Sequence, residues 1–307
     1  KITLTCAHAI VKYLIAQKIL INGKKEPLFP GVFGIFGHGN VACLGQALEE
    51  NQKELPTYRG HHEQNMALTG IGYARAKRRQ QIFVATSSVG PGATNMVTAA
   101  AVAMSNRLPI LFLPGDTYAN RMPDPVLQQV EHFNNPGITA NDAFKPVTRY
   151  FDRITRPEQI IQSFPAAVQT MLDPADCGPA CIALSQDIQG QTFDYPEEFF
   201  NETIHEIPRP RPDLNELNKC VALINNAKRP VLVAGGGVHY SLAEKELAAF
   251  AKEQQIPVVE TMAGKSSLPW SNPLLVGPLG VTGSDPVNQL VSESDLIIAI
   301  GTRLQDF

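Results

Sequence analysis

The sequence of 307 residues lacks several things, and each absence narrows what the protein can be. It has no excess of positive charge: 26 Lys and Arg stand against 29 Asp and Glu, a formal net charge of −3. No basic footprint for nucleic acid follows from that balance. No apolar run approaches the roughly 20 residues that a membrane span needs, so no membrane partner is expected. The five cysteines (Cys6, Cys43, Cys177, Cys181, Cys220) follow no motif, and Cys177 and Cys181 miss the Cys-x-x-Cys spacing of redox and zinc sites. Free, mostly buried thiols in a reducing cytoplasm are expected. There is no Gly-x-Ser-x-Gly nucleophile elbow. The glycine-rich turn at 89–95 lacks the Gly-Lys-Ser/Thr ending of a P-loop. His61 and His62 are adjacent and point apart on a helix, and no His-x-x-x-His pair is present for a metal. Nothing at the N-terminus reads as a signal peptide, and the chain opens at Lys1 without methionine, so further residues are expected ahead of it.

What is present reads as alternating α/β. A hydrophobic content of 44% is ordinary for a globular protein, and the length suits two domains. Ala7, Ile10, Val11, Leu14 and Ile15 recur at helical spacing within 5–20, with Thr5 as N-cap. Strands are predicted at 32–36, 55–58, 82–86, 109–113 and 180–184, and helices at 41–50, 62–78 and 157–171. Such alternation argues for a parallel sheet. Residues 118–141 are polar, punctuated by proline and without period, as in a surface connection. The run Pro208-Arg209-Pro210-Arg211-Pro212 closes a stiff linker, 196–212, between domains at 1–195 and 213–307. The second domain starts with a helix at 214–227 and has strands at 231–234, 257–260 and 296–300. Its Gly235-Gly236-Gly237 turn is Rossmann-like, but Tyr240 stands where a dinucleotide loop wants its third glycine.

One stretch organises the rest: Tyr58-Arg59-Gly60-His61-His62-Glu63-Gln64-Asn65-Met66-Ala67. A strand leads into Gly60 and a helix follows, which puts Glu63 in a first turn where the helix dipole favours a carboxylate. Open parallel sheets place ligands beyond the carboxyl ends of their strands. The bland alternative is an acidic residue stabilising an exposed first turn.

The wider pattern decides between these. Val32-Phe33-Gly34-Ile35-Phe36-Gly37, His62-Glu63-Gln64 and Gly90-Pro91-Gly92-Ala93-Thr94-Asn95 occur in the order shown by thiamine-diphosphate enzymes. The chain resembles the acetolactate-synthase group of those enzymes along its whole length. The resemblance implies two doubly wound, mostly parallel α/β domains, a pyrimidine-binding domain and a Rossmann-like middle domain. It implies that Glu63 is the catalytic residue: its carboxylate binds N1′ of the cofactor's aminopyrimidine and so promotes loss of the thiazolium C2 proton. A carboxylate with that task is expected in an apolar pocket. Gly37, Pro91 and Asn95 are implied as further cofactor contacts, and one of Thr86, Ser87 and Ser88 as another. His38 stands where the family often has glycine, and Phe36 where it commonly has proline. His38, His61 and Gln128 are candidate substrate residues, although His38 could equally cap a helix.

Family members hold magnesium on a Gly-Asp-Gly motif in a third, diphosphate-binding domain. No such motif occurs here, so the Mg2+ ligands are expected beyond residue 307, and the chain alone is not expected to be catalytically competent. The family's two cofactor-binding domains meet across a subunit interface, which implies a homodimer or homotetramer. FAD, held by the middle domain of acetolactate synthases, is not expected on so incomplete a fingerprint. Within the group, the runs 33–41 and 60–67 are similar to members that hydrolyse a C–C bond of a polyhydroxylated ring dione in inositol catabolism. A carboligase or decarboxylase acting on 2-keto acids is the alternative. A catalytically silent oligomerisation module is a third reading.

Overall fold

Short apolar runs separated by helices close into two compact units, Lys1–Pro208 and Arg209–Phe307. The computed structural model describes residues 1–123, 125–130, 132 and 134–305. In the first unit six strands form the main sheet: β1 (Val32–Ile35), β2 (Thr57–Arg59), β3 (Val84–Ser87), β4 (Leu111–Asp116), β5 (Tyr150–Ile154) and β6 (Ala180–Ser185). They lie in the order β2-β1-β3-β4-β6-β5, every pairing parallel. β3, β4 and β6 are buried at every residue. Helices cover both faces of such a sheet, and its central strands read as continuous apolar runs.

The covering helices include α1 (Cys6–Ala16), α2 (Glu63–Ala76), α3 (Val97–Asn106) and α4 (Ile160–Leu172). Ile10 and Leu14 of α1 join Phe164 and Val168 of α4 in one core with Ile182 and Leu184 of β6. Tyr13 stacks on Phe199 at 4.7 Å and meets Phe164 edge-on at 5.7 Å. The Thr5 hydroxyl accepts from the His8 N–H at 3.2 Å and caps α1, as its position predicts.

Three local expectations are corrected. The first helix stops at Ala16, and Gln17–Ile21 pairs antiparallel with Lys24–Pro27. Asn22 (φ 52°) and Gly23 (φ 75°) close that hairpin. Asn-Gly with φ positive at both positions is the strongest short hairpin signal, and it overrides the helical spacing of the residues before it. The helix expected over 41–50 is broken into a turn at Gly37–Asn40, a widened π-helical stretch at Val41–Gly45 and a last α turn at Gln46–Glu50. Part of the expected linker is folded: Thr203–His205 pairs parallel with Gln17–Ile21, and Phe199 and Phe200 pack against the first core. Aromatic burial outweighs the flanking prolines there.

The second unit has a four-stranded parallel sheet of β7 (Pro230–Ala234), β8 (Val258–Glu260), β9 (Leu275–Pro278) and β10 (Leu296–Ile300), in the order β9-β8-β7-β10. Its core is small, with Leu232, Ala234 and Val258 packed on Leu247 and Ala251 of α6 (Glu244–Gln254). Helix α5 (Leu214–Asn226) is capped by Asp213, yet none of its residues is buried.

Candidate active site

The carboxyl ends of β1, β2 and β3 gather the glycine-rich turns on one rim of the first unit. After β1 the chain turns at Gly37 (φ 49°), and after β3 it turns at Gly90 (φ 70°, ψ −120°). Any side chain at Gly37 would collide with Ser88, and one at Gly90 with the Gln128 carbonyl. Only glycine has both the dihedral freedom and the missing Cβ that these turns need. Pro91 follows at the first helical position, where its fixed φ suits the helix and no N–H is missed.

β2 delivers the chain to Gly60, and His62 caps α2 with its ring nitrogen facing the Asn65 N–H at 3.4 Å. Glu63 is therefore the first residue of the helix. Asn95 Nδ2 donates to Glu63 Oε2 at 2.7 Å. Among the described residues Oε1 receives no hydrogen bond. A Cβ built on Gly92 would lie 3.4 Å from that oxygen, so the missing side chain keeps the carboxylate open on one side. These features suit an aminopyrimidine: a carboxylate with one oxygen held by an amide and the other free, at the positive end of a helix. Glu63 is partly buried in this chain, beside the polar side chains of Asn95 and Ser88 and not fully sunk in the apolar pocket expected for it.

The structure separates the three hydroxyls that the sequence leaves open. Thr86 is committed, donating to the Leu113 carbonyl at 2.7 Å and accepting from Asn40 at 2.8 Å. Ser87 Oγ donates to the carbonyl of Ser88 at 3.1 Å. Ser88 lies against Gly37 and Gly92, and its hydroxyl reaches Gln128 Oε1 at 3.4 Å. Gly37, Gln128, Glu63 and Asn95 thus come together through Ser88 and Gly92. His38 has a buried Nε2 without a hydrogen-bond partner among the described residues. His61 is exposed, and no hydrogen bond among the described residues ties it to this group.

Sequence reasoning missed the scaffold behind the rim. Asn40 is buried and donates to Thr86 Oγ1, Ser87 O and Leu113 O, and it accepts from Gln189 at 2.8 Å. It ties the ends of β3 and β4 to the turn after β1. An asparagine closing a Gly-His-Gly turn was the available signal. Asp116, at the end of β4, is fully buried and pairs with Arg153 at 2.7 Å, and Arg153 also reaches Asp142 at 3.1 Å. Burial alone would raise the Asp142 carboxyl. Hydrogen bonds from Lys145 and the Thr139 N–H, with the Arg153 charge, hold it below its ordinary value. The thiols stand apart from this chemistry: burial pushes Cys6 and Cys177 up to about 12. Among the described residues no group of three His, Cys, Asp or Glu could hold a metal, and no helix is long and apolar enough to cross a membrane.

Comparison with known families agrees with this geometry. Residues 28–135 match the thiamine pyrophosphate enzyme N-terminal TPP binding domain, and residues 217–307 match the thiamine pyrophosphate enzyme central domain. Together the two matches cover well over half of the chain, and the chain belongs to the thiamine pyrophosphate enzymes. Among individual proteins it is similar to 3D-(3,5/4)-trihydroxycyclohexane-1,2-dione hydrolase. It is 49% identical to that of Geobacillus thermodenitrificans over 306 residues, covering 100% of this chain and 48% of the relative. Identity to that of Clostridium perfringens is 49% over 304 residues, 99% of this chain and 48% of the relative. For Listeria monocytogenes it is 47% over 306 residues, 100% of this chain and 48% of the relative. The chain spans about half the length of the curated relatives it matches.

Proposed function

We propose that this chain supplies the pyrimidine side of a thiamine-diphosphate-dependent hydrolase that opens the ring of 3D-(3,5/4)-trihydroxycyclohexane-1,2-dione. The bond between the two carbonyl carbons breaks, one water is added, and 5-deoxy-glucuronate is released. The observation that carries the proposal is Glu63 at the mouth of α2, with Oε2 held by Asn95 at 2.7 Å and Oε1 free. Identity of 49% to a hydrolase of that name along the whole chain supports the substrate.

Thiamine diphosphate, when bound, supplies a carbon nucleophile at C2 of its thiazolium ring. The residues of this chain do the rest on the pyrimidine side. Glu63 holds a proton with ring nitrogen N1′, and Asn95 keeps the carboxylate in register. Gly37, Pro91 and Gly92 shape a rim that a flat ring can approach. His38 and Gln128 face the substrate side as polar contacts. Magnesium is held by residues outside this chain. Glu63 is still partly exposed here, and proton sharing with a weak base needs desolvation. The remaining cover comes from a second subunit, as the family's arrangement implies, and the active unit is a homodimer or larger.

The test uses the full-length protein. Thiamine-dependent disappearance of the ring dione, with 5-deoxy-glucuronate as product, is expected. Turnover of pyruvate to acetolactate with no action on the dione would replace this reading with a carboligase.

A further inference from the structure

The proposed reaction changes charge: a neutral ring dione and one water end as a carboxylate and a proton. The turns that frame the rim offer little to receive that carboxylate. Phe36-Gly37-His38-Gly39-Asn40 after β1, Gly60-His61-His62 after β2 and Ser88-Val89-Gly90 after β3 contain no lysine or arginine. Their histidines carry charge only when protonated. Glu63 is itself an acid and repels a second carboxylate. One fixed cation stands at this edge. Arg59 is the last residue of β2, directly before the Gly60 turn. It is exposed, and among the described residues its side chain makes no hydrogen bond or ion pair.

The backbone of Arg59 is fixed at the rim. It pairs with Gly34 of β1, and the Gly60 N–H donates to the Gly34 carbonyl at 3.2 Å. Four residues of chain separate it from Glu63, a distance of at most about 14 Å. A long side chain and a ring-derived product together span such a gap. A surface arginine is commonly just solvated. This one differs by its place, on the strand that delivers the catalytic carboxylate, where the reaction makes an anion. Arg121, in the connection after β4, is likewise exposed and without a side-chain partner among the described residues. It follows a strand separated from β2 by β1 and β3, so Arg59 is the better placed. We infer that Arg59 binds the product carboxylate, its guanidinium fork donating two N–H bonds to the acid. Arg59 thus sets how tightly product is held and takes no part in binding the neutral substrate. The inference rests on the function proposed above.

The experiment measures inhibition of dione opening by 5-deoxy-glucuronate and by 5-deoxyglucose, its neutral counterpart, in the full-length holoenzyme. The wild-type protein should bind the acid more tightly than the neutral sugar. Arg59→Gln should raise Ki for the acid by about tenfold, as loss of a hydrogen-bonded charge pair does. Ki for 5-deoxyglucose and KM for the dione should stay at wild-type values. Arg59→Lys keeps the charge without the fork and should fall in between. Arg121→Gln, the control, should leave both inhibition constants alone. An unchanged Ki for the acid in Arg59→Gln overturns the inference and leaves the proposed function standing. So does an equal rise for both inhibitors, or a rise with Arg121→Gln alone. A wild-type protein that holds the acid no tighter than the sugar overturns it too. Should Arg59→Gln not fold, Arg59→Lys decides by the same comparison. A wild-type protein inert towards the dione overturns both the inference and the proposed function.

Discussion

The two units use glycine after a strand in different ways. In the first, a Cβ at Gly37 would meet the Ser88 side chain and one at Gly90 the Gln128 carbonyl, while the glycine at 92 keeps space beside Glu63 open. In the second, the absent side chains are replaced by the unit's own backbone. A Cβ at Gly235 or Gly237 would strike the backbone at Gly301, and one at Gly264 the Ala234 carbonyl. The glycines after β7 serve close chain packing, as Gly90 does, whereas Gly92 leaves room beside a carboxylate. A glycine-rich turn at the end of a parallel strand is therefore no sign of a ligand until the space beside it has been seen. Cover differs as well: the first unit buries three strands at every residue, while in the second unit α5 buries none.

The largest effect should fall on the first core. Phe164→Ala removes a fully buried ring packed on Tyr13 and should cost about 3–5 kcal/mol, seen as a lower denaturant midpoint for the first unit. If the two units unfold together, that midpoint will not separate, and the distinction in cover is weaker than drawn. Glu63→Gln in the full-length enzyme should lower kcat by on the order of a hundredfold or more at saturating thiamine diphosphate, with the thermal midpoint little changed. A variant with wild-type turnover would remove the first unit's claim to chemistry.

The glycine contrast is tested by a pair. Gly237→Ala should destabilise the second unit by about 1–3 kcal/mol in chemical unfolding, because backbone must move. Gly92→Ala meets only ordinary contacts and should leave stability alone, but crowd Glu63 and weaken thiamine binding in a titration.

A smaller effect follows pH. Burial holds His205 below its ordinary 6.5. As pH falls through that value the unfolded chain takes up the proton first, so the first unit loses stability from about pH 6.5 downward. Asp142, held low, acts in the same direction in the acid range, and its stabilisation disappears as pH falls through its folded value. Melting curves between pH 7.5 and 4 should show the midpoint falling, and His205→Gln should flatten the upper part of that slope. Least of all, Leu217→Ala on the exposed α5 should shift stability by less than about 0.5 kcal/mol. A larger loss would mean that the helix is covered in solution.

Much of this was readable from residue order. Period and turn residues placed the central strands, α2 and the glycine-rich turns, because apolar runs and Gly-Pro punctuation are local signals. They failed at 17–21, where helical spacing ran into an Asn-Gly hairpin, and at 197–205, where Phe199 and Phe200 gave stretches rich in polar residues and proline a core to join. The strand at Leu275–Pro278 carries glycine and proline inside it and gave no strand signal at all.

For the site the division is similar. The sequence alone put a carboxylate at a helix start, tied three motifs to a thiamine family and marked Asn95 as a cofactor contact, since motif order and helix boundaries are properties of the chain itself. Only the folded unit decided that Asn95 reaches Glu63, that Ser88 and not Thr86 faces the rim and that Asn40 braces it from behind. Those are distances between residues far apart in sequence, set by strand order and burial, and no local pattern encodes them.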